Sequence, residues 1–204
     1  LNEGERRAFA KAARDVPQEF VGDEAHRGDM VWSAAVPEEL RSRATAVIGN
    51  FPVSQASQYT RLEWLQTFSA GVDAYICPGV LPRGTMVTNA SGAYGQSVSE
   101  HMFATMWALM KNLNRYASNQ RDHQWQDEGP VLSPEGGIAL IIGVGDIGSH
   151  FAQLAQSVGI RTFGVRRHAD VPAKGIEKMY GFERLETLLP LADVVAMAVP
   201  RSPQ

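Results

Sequence analysis

Three glycines with the spacing G-x-G-x-x-G carry the clearest chemical signal in the sequence. Gly143, Gly145 and Gly148 follow the apolar run 138–142 and precede a segment with helical spacing, 151–158. In such a strand–turn–helix unit, the first glycine permits the tight turn, the second lets the backbone approach a pyrophosphate, and the third lets the helix pack on the strand. The helix N-terminus adds unpaired N–H groups and a partial positive charge. The pattern predicts a dinucleotide site, whose contacts in this turn are Gly143, Gly145, Asp146, Ile147 and Gly148.

Two arginines stand where such a fold reads the ribose of the dinucleotide. Arg166 lies 18 residues beyond Gly148, Arg167 follows it, and no acid occurs before Asp170. An acid at this place accepts a hydrogen bond from the 2′-OH of NAD, whereas an arginine accommodates the 2′-phosphate of NADP. Two guanidinium groups suit a dianionic phosphate by charge and by bidentate hydrogen bonding. The sequence therefore predicts NADP rather than NAD, the alternative being that both arginines are a solvated strand end.

The second half of the chain alternates strand and helix patterns around the glycines. The predicted elements are strand 138–142, helix 146–158 with Gly159 at its C-terminal cap, strand 162–165, helix 183–189 and strand 193–199. Strands joined by helical crossovers pair in parallel, with helices on both faces of the sheet. The sequence therefore predicts a doubly wound parallel sheet of the Rossmann type.

The first 90 residues show shorter elements of both kinds. The patterns predict helix 3–14, strand 19–21, a helix beginning at Pro37, strands 45–49, 62–68 and 86–89, and a turn cluster at 69–73. Strands that alternate with helices indicate a small α/β layer structure.

Between the two halves, residues 97–120 are predicted to form one long helix. Its apolar stripe consists of Met102, Phe103, Met106, Leu109, Met110 and Leu113. A helix with so much apolar surface is mostly buried, either in its own core or against another copy of the chain. The polar segment 122–134, which contains two X-Pro pairs, is predicted to be a connecting loop.

Composition limits the classes of function. The 204 residues carry a net charge of −3, which gives no footprint for nucleic acid. No apolar run approaches the roughly 18 residues of a membrane span, and no leader pattern opens the sequence. The single cysteine, Cys77, fits a reducing, cytoplasmic compartment and leaves no cysteine-based metal site; histidines and acids show no metal-ligand spacing either.

Four motifs follow one another along the chain, at residues 65–73, at 87–92 with 98–101, at 143–148 and at 198–203. Together they resemble motifs of the D-isomer-specific 2-hydroxyacid dehydrogenase family, in particular its NADP-preferring glyoxylate/hydroxypyruvate reductases. In that family they are, in this order, the substrate-carboxylate loop, the strand-to-helix hinge, the cofactor turn and the strand end beside the nicotinamide. The resemblance implies a partial flavodoxin-like α/β substrate domain at 1–92, a partial Rossmann domain at 93–204, and a homodimer.

The resemblance also implies hydride transfer between NAD(P)H and a small 2-oxo acid or D-2-hydroxy acid. Backbone N–H groups of Ala70, Gly71 and Val72 are expected to hold the substrate carboxylate, although Gly71 could be an ordinary turn glycine. The Tyr94 hydroxyl is expected to reach the substrate, the alternative being a structural tyrosine. The remaining cofactor contacts implied by the resemblance are Val98, Val199 and Pro200.

The family's catalytic arginine, glutamate and histidine follow the strand that ends near Pro200. From the resemblance we expect them beyond Gln204, and we expect the sequence to be trimmed at both ends. No catalytic residue is assigned here, because spacing supplies no acidic partner for His26, His101, His123, His150 or His168. Residues 1–204 are therefore expected to bind NADPH without reducing substrate. The alternatives are a nucleotide-binding module without turnover and a co-repressor-like Rossmann protein.

Overall fold

The computed structural model describes residues 1–22 and 33–200. The chain divides into two compact units, Leu1–Ser91 and Gly92–Gln204. Each unit contains one parallel sheet and its own cluster of buried apolar side chains. Of the five histidines, His26 lies outside the described residues. Within the two described ranges, no helix is both long enough and apolar enough to cross a membrane.

The first unit holds a three-stranded sheet in the order β1-β2-β3, with every pair parallel. Its elements are helix α1 (Glu3–Ala13), helix α2 (Glu38–Arg41), β1 (Ala46–Ile48), a 3₁₀ helix (Val53–Gln58), β2 (Trp64–Gln66) and β3 (Met86–Thr88). Leu65 on the central strand is fully buried and pairs with Val47 on one side and Val87 on the other. The predicted α/β layer is therefore present, although the described segment between β2 and β3 forms turns rather than a helix.

Three aromatic rings form the centre of the first unit. Phe51 stacks on Tyr59 with ring centroids 4.3 Å apart and meets Tyr75 edge-on at 5.3 Å. The Tyr75 hydroxyl donates to the Phe51 carbonyl at 2.6 Å and accepts from its N–H at 3.2 Å. The Tyr59 hydroxyl is also buried, but it has no hydrogen-bond partner among the described residues. Burial raises the pKa of Tyr59 to about 12.

The raised pKa of Tyr59 predicts a loss of stability at alkaline pH. The unfolded chain releases the phenolic proton near pH 10 and the folded chain only near pH 12, so the free energy of unfolding falls as the pH rises between these values. Urea unfolding at pH 9, 10 and 11 should show this fall, and Tyr59→Phe should flatten it. An equal fall in the variant would contradict the assignment to Tyr59.

The second unit holds a four-stranded parallel sheet in the order β6-β5-β4-β7. Its strands are β4 (Ile138–Ile142), β5 (Arg161–Val165), β6 (Lys178–Tyr180) and β7 (Val194–Met197). Its helices are α3 (Gly95–Met110), α4 (Leu113–Arg121), α5 (Asp146–Ser157) and α6 (Leu185–Leu188), with 3₁₀ turns at Phe182–Arg184 and Leu189–Leu191. Renumbered within the unit, this order is 3-2-1-4, as in the first four strands of a dinucleotide-binding sheet.

Burial explains why the strongest strand pattern takes the middle of this sheet. Residues 139–142 of β4 are all buried, and α3 and α5 pack over the strand through Met106, Met110 and Phe151. The other face of the sheet is covered by residues that include Leu188 of α6. The predicted doubly wound sheet is therefore confirmed, with Gly159 in the left-handed region (φ +80°) directly after the C-terminal cap of α5.

The prediction of one long helix over residues 97–120 was wrong, because the structure has two helices there. The chain leaves the helix after Met110 and starts α4 at Leu113, because Asn112 adopts a left-handed conformation with φ 52° and ψ 29°. Its side-chain amide donates to the carbonyl oxygens of Glu128 and Pro130, which fixes the break. Asparagine tolerates this conformation better than most residues, but it is a weaker sequence signal than glycine.

The residues of the predicted apolar stripe are divided between buried and exposed positions. Met106 and Met110 are buried in the core of the second unit, and Met102 and Phe103 pack against it. Leu109 and Leu113, by contrast, are exposed beside the break between the two helices. Only part of the stripe therefore serves the unit's own core.

One predicted strand is absent from the structure, and one observed strand was not predicted. Residues 19–21 form no strand; the exposed ring of Phe20 instead lies under the Arg6 guanidinium, 5.5 Å from its centroid. Strand β6 was not predicted, because three residues with a lysine at the first position give no apolar pattern. It is held in part by the neighbouring Glu177, whose side chain hydrogen-bonds Arg161 at 2.8 and 3.1 Å and whose pKa this partner lowers.

Candidate functional site

Two glycines of the cofactor turn occupy positions that have no room for a side chain. Gly143 has φ +90°, and a Cβ on it would overlap the carbonyl oxygen of Ala198, at the end of the neighbouring strand β7. A Cβ on Gly148 would overlap the carbonyl oxygen of Gly143 and lie 3.2 Å from a methyl carbon of Ile141. The first glycine therefore permits the turn, and the third lets α5 pack directly on β4, as the spacing predicts.

The middle glycine faces open space. A Cβ on Gly145 would meet no heavy atom within 4 Å. Gly145 is the N-terminal cap of α5, and no side chain of the described residues caps this helix. Within the described part of the chain, the N–H groups of Gly145, Asp146 and Ile147 have no hydrogen-bond acceptor. Open space in front of uncapped N–H groups fits the pyrophosphate of a dinucleotide, because the helix end supplies both donors and partial positive charge.

The ends of β4 and β7 bring two further predicted cofactor residues to this turn. A γ-methyl carbon of Val199 would lie 2.7 Å from a Cβ on Gly143, so Val199 flanks the turn directly, and Pro200 follows it. Both are exposed. Val98 lies in the first turn of α3 and is half-buried.

The two arginines at the end of β5 differ in their contacts. The Arg166 guanidinium donates to three backbone carbonyls: Nε to His168 at 2.9 Å, one terminal nitrogen to Val144 at 3.3 Å, and the other to Val171. Arg167 is exposed, and its side chain has no hydrogen bond or ion pair within the described ranges. The donors of the Arg166 guanidinium are therefore already directed at backbone carbonyls, whereas the Arg167 side chain is exposed.

One histidine has an acidic partner that was not predicted from the sequence. His150 Nδ1 lies 3.3 Å from Asp146 Oδ1 and 2.9 Å from the Asp146 carbonyl oxygen. The two residues are four apart on α5, and this spacing places side chains on one helix face. The statement that spacing supplies no acidic partner was therefore wrong for His150.

The Asp146 carboxylate also lies against the first residue of α3. A Cβ on the buried Gly95 would overlap both oxygens of this carboxylate. No side chain caps the N-terminus of α3. A negative charge beside that end is favourable, because the first N–H groups of a helix carry partial positive charge. Asp146 thus joins the cofactor turn to the start of α3, and the sequence patterns gave no sign of this role for Gly95.

The contact predicts an energetic coupling between Gly95 and Asp146. Gly95→Ala should lower the melting temperature, because the new methyl group must displace the carboxylate from the α3 N-terminus. In an Asp146→Ala background the same change should cost about 1 kcal/mol less, since the obstructing group is gone. Thermal unfolding of the two single variants and the double variant measures the coupling. Strictly additive shifts would contradict the contact.

In the first unit, the loop predicted to hold a carboxylate has its carbonyl oxygens occupied. Asn89 donates to the Ala70 carbonyl at 2.7 Å, and the Ser69 hydroxyl donates to the Gly71 carbonyl at 2.9 Å. The Ser69 carbonyl accepts from the Thr67 hydroxyl at 2.8 Å, and from the N–H of Ala90 as well.

The N–H groups of the same loop are unoccupied. Those of Ala70, Gly71 and Val72 have no acceptor among the residues that the structure describes. A Cβ on Gly71 would meet nothing within 4 Å, so the approach to this backbone is open. Several N–H donors without an acceptor are what a carboxylate needs for binding.

Tyr94, the predicted substrate contact, belongs to the second unit. It is the N-terminal cap residue of α3, and its ring is partly exposed. Asn89 was not predicted as a site residue, although a side-chain amide after a strand and before a Ser-Gly pair is typical of a turn that fixes backbone groups. Within the described ranges, no group of three or more His, Cys, Asp or Glu side chains could hold a metal ion.

Comparison with known proteins supports a common origin for this arrangement. A family model described as D-isomer specific 2-hydroxyacid dehydrogenase, NAD binding domain, matches residues 103–204. The glycerate dehydrogenase of Methylorubrum extorquens AM1 is 25% identical over 177 residues, which are 82% of this chain and 54% of that protein. The D-3-phosphoglycerate dehydrogenase of Bacillus subtilis strain 168 is 28% identical over 149 residues, 71% of this chain and 27% of that protein.

A solved structure gives a similar picture. The D-isomer specific 2-hydroxyacid dehydrogenase family protein from Aeromonas salmonicida subsp. salmonicida A449 superposes with a TM-score of 0.77 at 25% identity, covering 98% of this chain and 61% of that one. The chain thus spans about half the length of the Methylorubrum enzyme and under two thirds of the Aeromonas protein.

Proposed function

Because the chain belongs to the D-isomer-specific 2-hydroxyacid dehydrogenase family, we propose that its protein transfers a hydride between a nicotinamide dinucleotide and a small 2-oxo acid or D-2-hydroxy acid. The observation that carries this proposal is the glycine turn of the second unit. Its outer glycines fill tight positions, while Gly145 leaves space in front of uncapped N–H groups. These groups would bind the pyrophosphate, and the bound nicotinamide would supply or accept the hydride.

The substrate carboxylate is assigned to the loop of the first unit. The N–H groups of Ala70, Gly71 and Val72 have no acceptor among the described residues, which supports this assignment because a carboxylate needs several donors. Tyr94 is assigned to the substrate as a hydroxyl donor. We place the substrate-orienting arginine and the glutamate–histidine proton donor beyond Gln204, as the family resemblance implies.

The activity is tested by following NADPH oxidation with glyoxylate, hydroxypyruvate and a bulkier 2-oxo acid. We expect turnover by a longer protein that continues past Gln204, and binding of NADPH without turnover by residues 1–204. Turnover by residues 1–204 would contradict the placement of the proton donor. Binding of NADPH by a longer protein that reduces no 2-oxo acid would instead favour a nucleotide-binding module.

We assign NADP rather than NAD as the preferred cofactor. Two observations support this assignment: no acid occurs at 166–169, and the Arg167 side chain is exposed at the end of β5. A carboxylate there would repel a 2′-phosphate, whereas a guanidinium attracts it.

The active form is proposed to be a homodimer formed through an exposed apolar surface of the second unit. The exposed apolar side chains proposed to form this surface are Leu109, Leu113, Val131 and Leu132. The N–H of Leu132 donates to the Met110 carbonyl at 2.9 Å, which holds the loop 128–132 beside the break between α3 and α4. Apolar side chains exposed on two adjoining segments are typical of an interface.

Light scattering of a longer protein tests the homodimer. We expect a mass of two chains, and a shift to one chain in Leu109→Glu, because a carboxylate would be buried at the interface. Glu186→Gln, which changes an exposed side chain on α6, serves as the control. A monomeric wild type would contradict the proposal.

A cytoplasmic location stays a prediction, which rests on the single free cysteine.

A further inference from the structure

The hydrogen bonds of Arg166 join two segments that are distant in sequence. Val144 belongs to the glycine turn, whereas His168 and Val171 belong to the loop that follows β5. The guanidinium lies between them and donates to a carbonyl oxygen of each. Arg166 therefore fastens the loop 168–171 to the turn that is proposed to bind the pyrophosphate.

These bonds use the part of the side chain that a phosphate would need. A guanidinium has five N–H donors, and it grips a phosphate with two parallel donors along one edge. In Arg166, Nε and a terminal nitrogen are directed at the His168 and Val171 carbonyls, and the second terminal nitrogen donates to Val144. A phosphate that bound this guanidinium would have to displace the backbone carbonyls from its donors.

Arg167 has the opposite properties. It is exposed, it follows Arg166 directly at the end of β5, and its donors have no partner within the described residues. Its charge is therefore available to a dianion at the place where the ribose of a dinucleotide is read.

We propose that Arg166 is a positioning residue, which holds the loop 168–171 against the glycine turn, and that Arg167 alone contacts the 2′-phosphate. The division of roles rests on the proposed function, because it presupposes a dinucleotide at this turn. It implies that the two arginines affect affinity in different ways. Loss of Arg166 disorders the surroundings of the turn and weakens both cofactors, whereas loss of Arg167 weakens only the cofactor that has the extra phosphate.

Dissociation constants for NADPH and NADH measured on the 204-residue chain test this division. We expect Arg167→Ala to raise the constant for NADPH about tenfold or more, and to leave that for NADH within about twofold, as for the loss of a charged hydrogen bond. We expect Arg166→Ala to raise both constants by similar factors. Arg184→Ala, an exposed arginine in a 3₁₀ turn, is the matched control and should change neither constant.

Arg166→Lys separates the two roles even if Arg166→Ala fails to fold. Lysine keeps a positive charge that serves a phosphate, but one ammonium group cannot reach three carbonyls in a planar array. The proposal predicts that Arg166→Lys still loses affinity for both cofactors and that proteases cut the loop 168–171 faster. Retention of NADPH binding in Arg166→Lys, or a loss confined to NADPH in Arg166→Ala, would overturn it.

The wild-type constants distinguish failure of the inference from failure of the proposed function. Binding of neither cofactor would refute the dinucleotide site itself. A preference for NADH would refute the choice of NADP and the role of Arg167. The role of Arg166 would then still be decided by whether its variants lose affinity for NADH.

Discussion

Gly145→Ala is expected to weaken NADPH binding about tenfold or more while leaving the melting temperature unchanged. The added methyl group meets no protein atom within 4 Å, so the fold has room for it. The φ of Gly145 is −101°, which lies outside the left-handed region that favours glycine. The methyl group would, however, occupy the space through which the pyrophosphate approaches the N–H groups at the start of α5.

Calorimetric titration with NADPH, together with thermal unfolding, measures both halves of this expectation. Ser149→Ala, on the same helix but beyond the glycine turn, is the control and should preserve affinity. Unchanged affinity for NADPH in Gly145→Ala would show that the pyrophosphate does not bind at this turn. A lower melting temperature would show that the position is not open.

Gly148→Ala is expected to have the opposite effect, a large loss of stability. Alanine is the better helix former by about 1 kcal/mol, so an unobstructed position in α5 would gain from the change. Here the methyl group would overlap the backbone carbonyl of Gly143 and press on Ile141, neither of which can move without separating α5 from β4. Overpacking of a tight core costs about 1–3 kcal/mol or more, so the steric loss outweighs the gain.

Thermal unfolding should place the midpoint of Gly148→Ala several degrees below that of wild type. Gly145→Ala is the matched comparison, because it adds the same methyl group three residues earlier. We expect Gly148→Ala to lower stability and Gly145→Ala to lower affinity for NADPH. A stable Gly148→Ala protein would mean that α5 does not rest on β4 as described.

The glycine turn and the sheet around it could be predicted because their causes are local. A buried strand needs an unbroken apolar run, and close helix–strand packing needs glycine. The sequence of residues 138–148 alone therefore predicts both the strand and the turn. The break at Asn112 could not be predicted in this way. It depends on carbonyls of Glu128 and Pro130, which only the folded loop brings to the Asn112 side chain.

The same distinction applies to the candidate site. Charge and spacing indicated that arginines follow β5, but not that Arg166 would be bonded to Val144, 22 residues earlier. The contact of Asp146 with Gly95 depends on how α3 crosses α5, and no pattern in either helix encodes that crossing. The pairing of Asp146 with His150, by contrast, was available from the four-residue spacing on one helix and should have been predicted.

The turn at Gly143–Gly148 is proposed to bind a nicotinamide dinucleotide, and titration of the 204-residue chain with NADPH and with NADH tests this directly. The nicotinamide fluorescence of each cofactor reports binding. We expect saturable binding of both cofactors, tighter for NADPH, and a higher dissociation constant for each in Gly145→Ala. The absence of saturable binding, or equal binding by wild type and Gly145→Ala, would contradict this proposal.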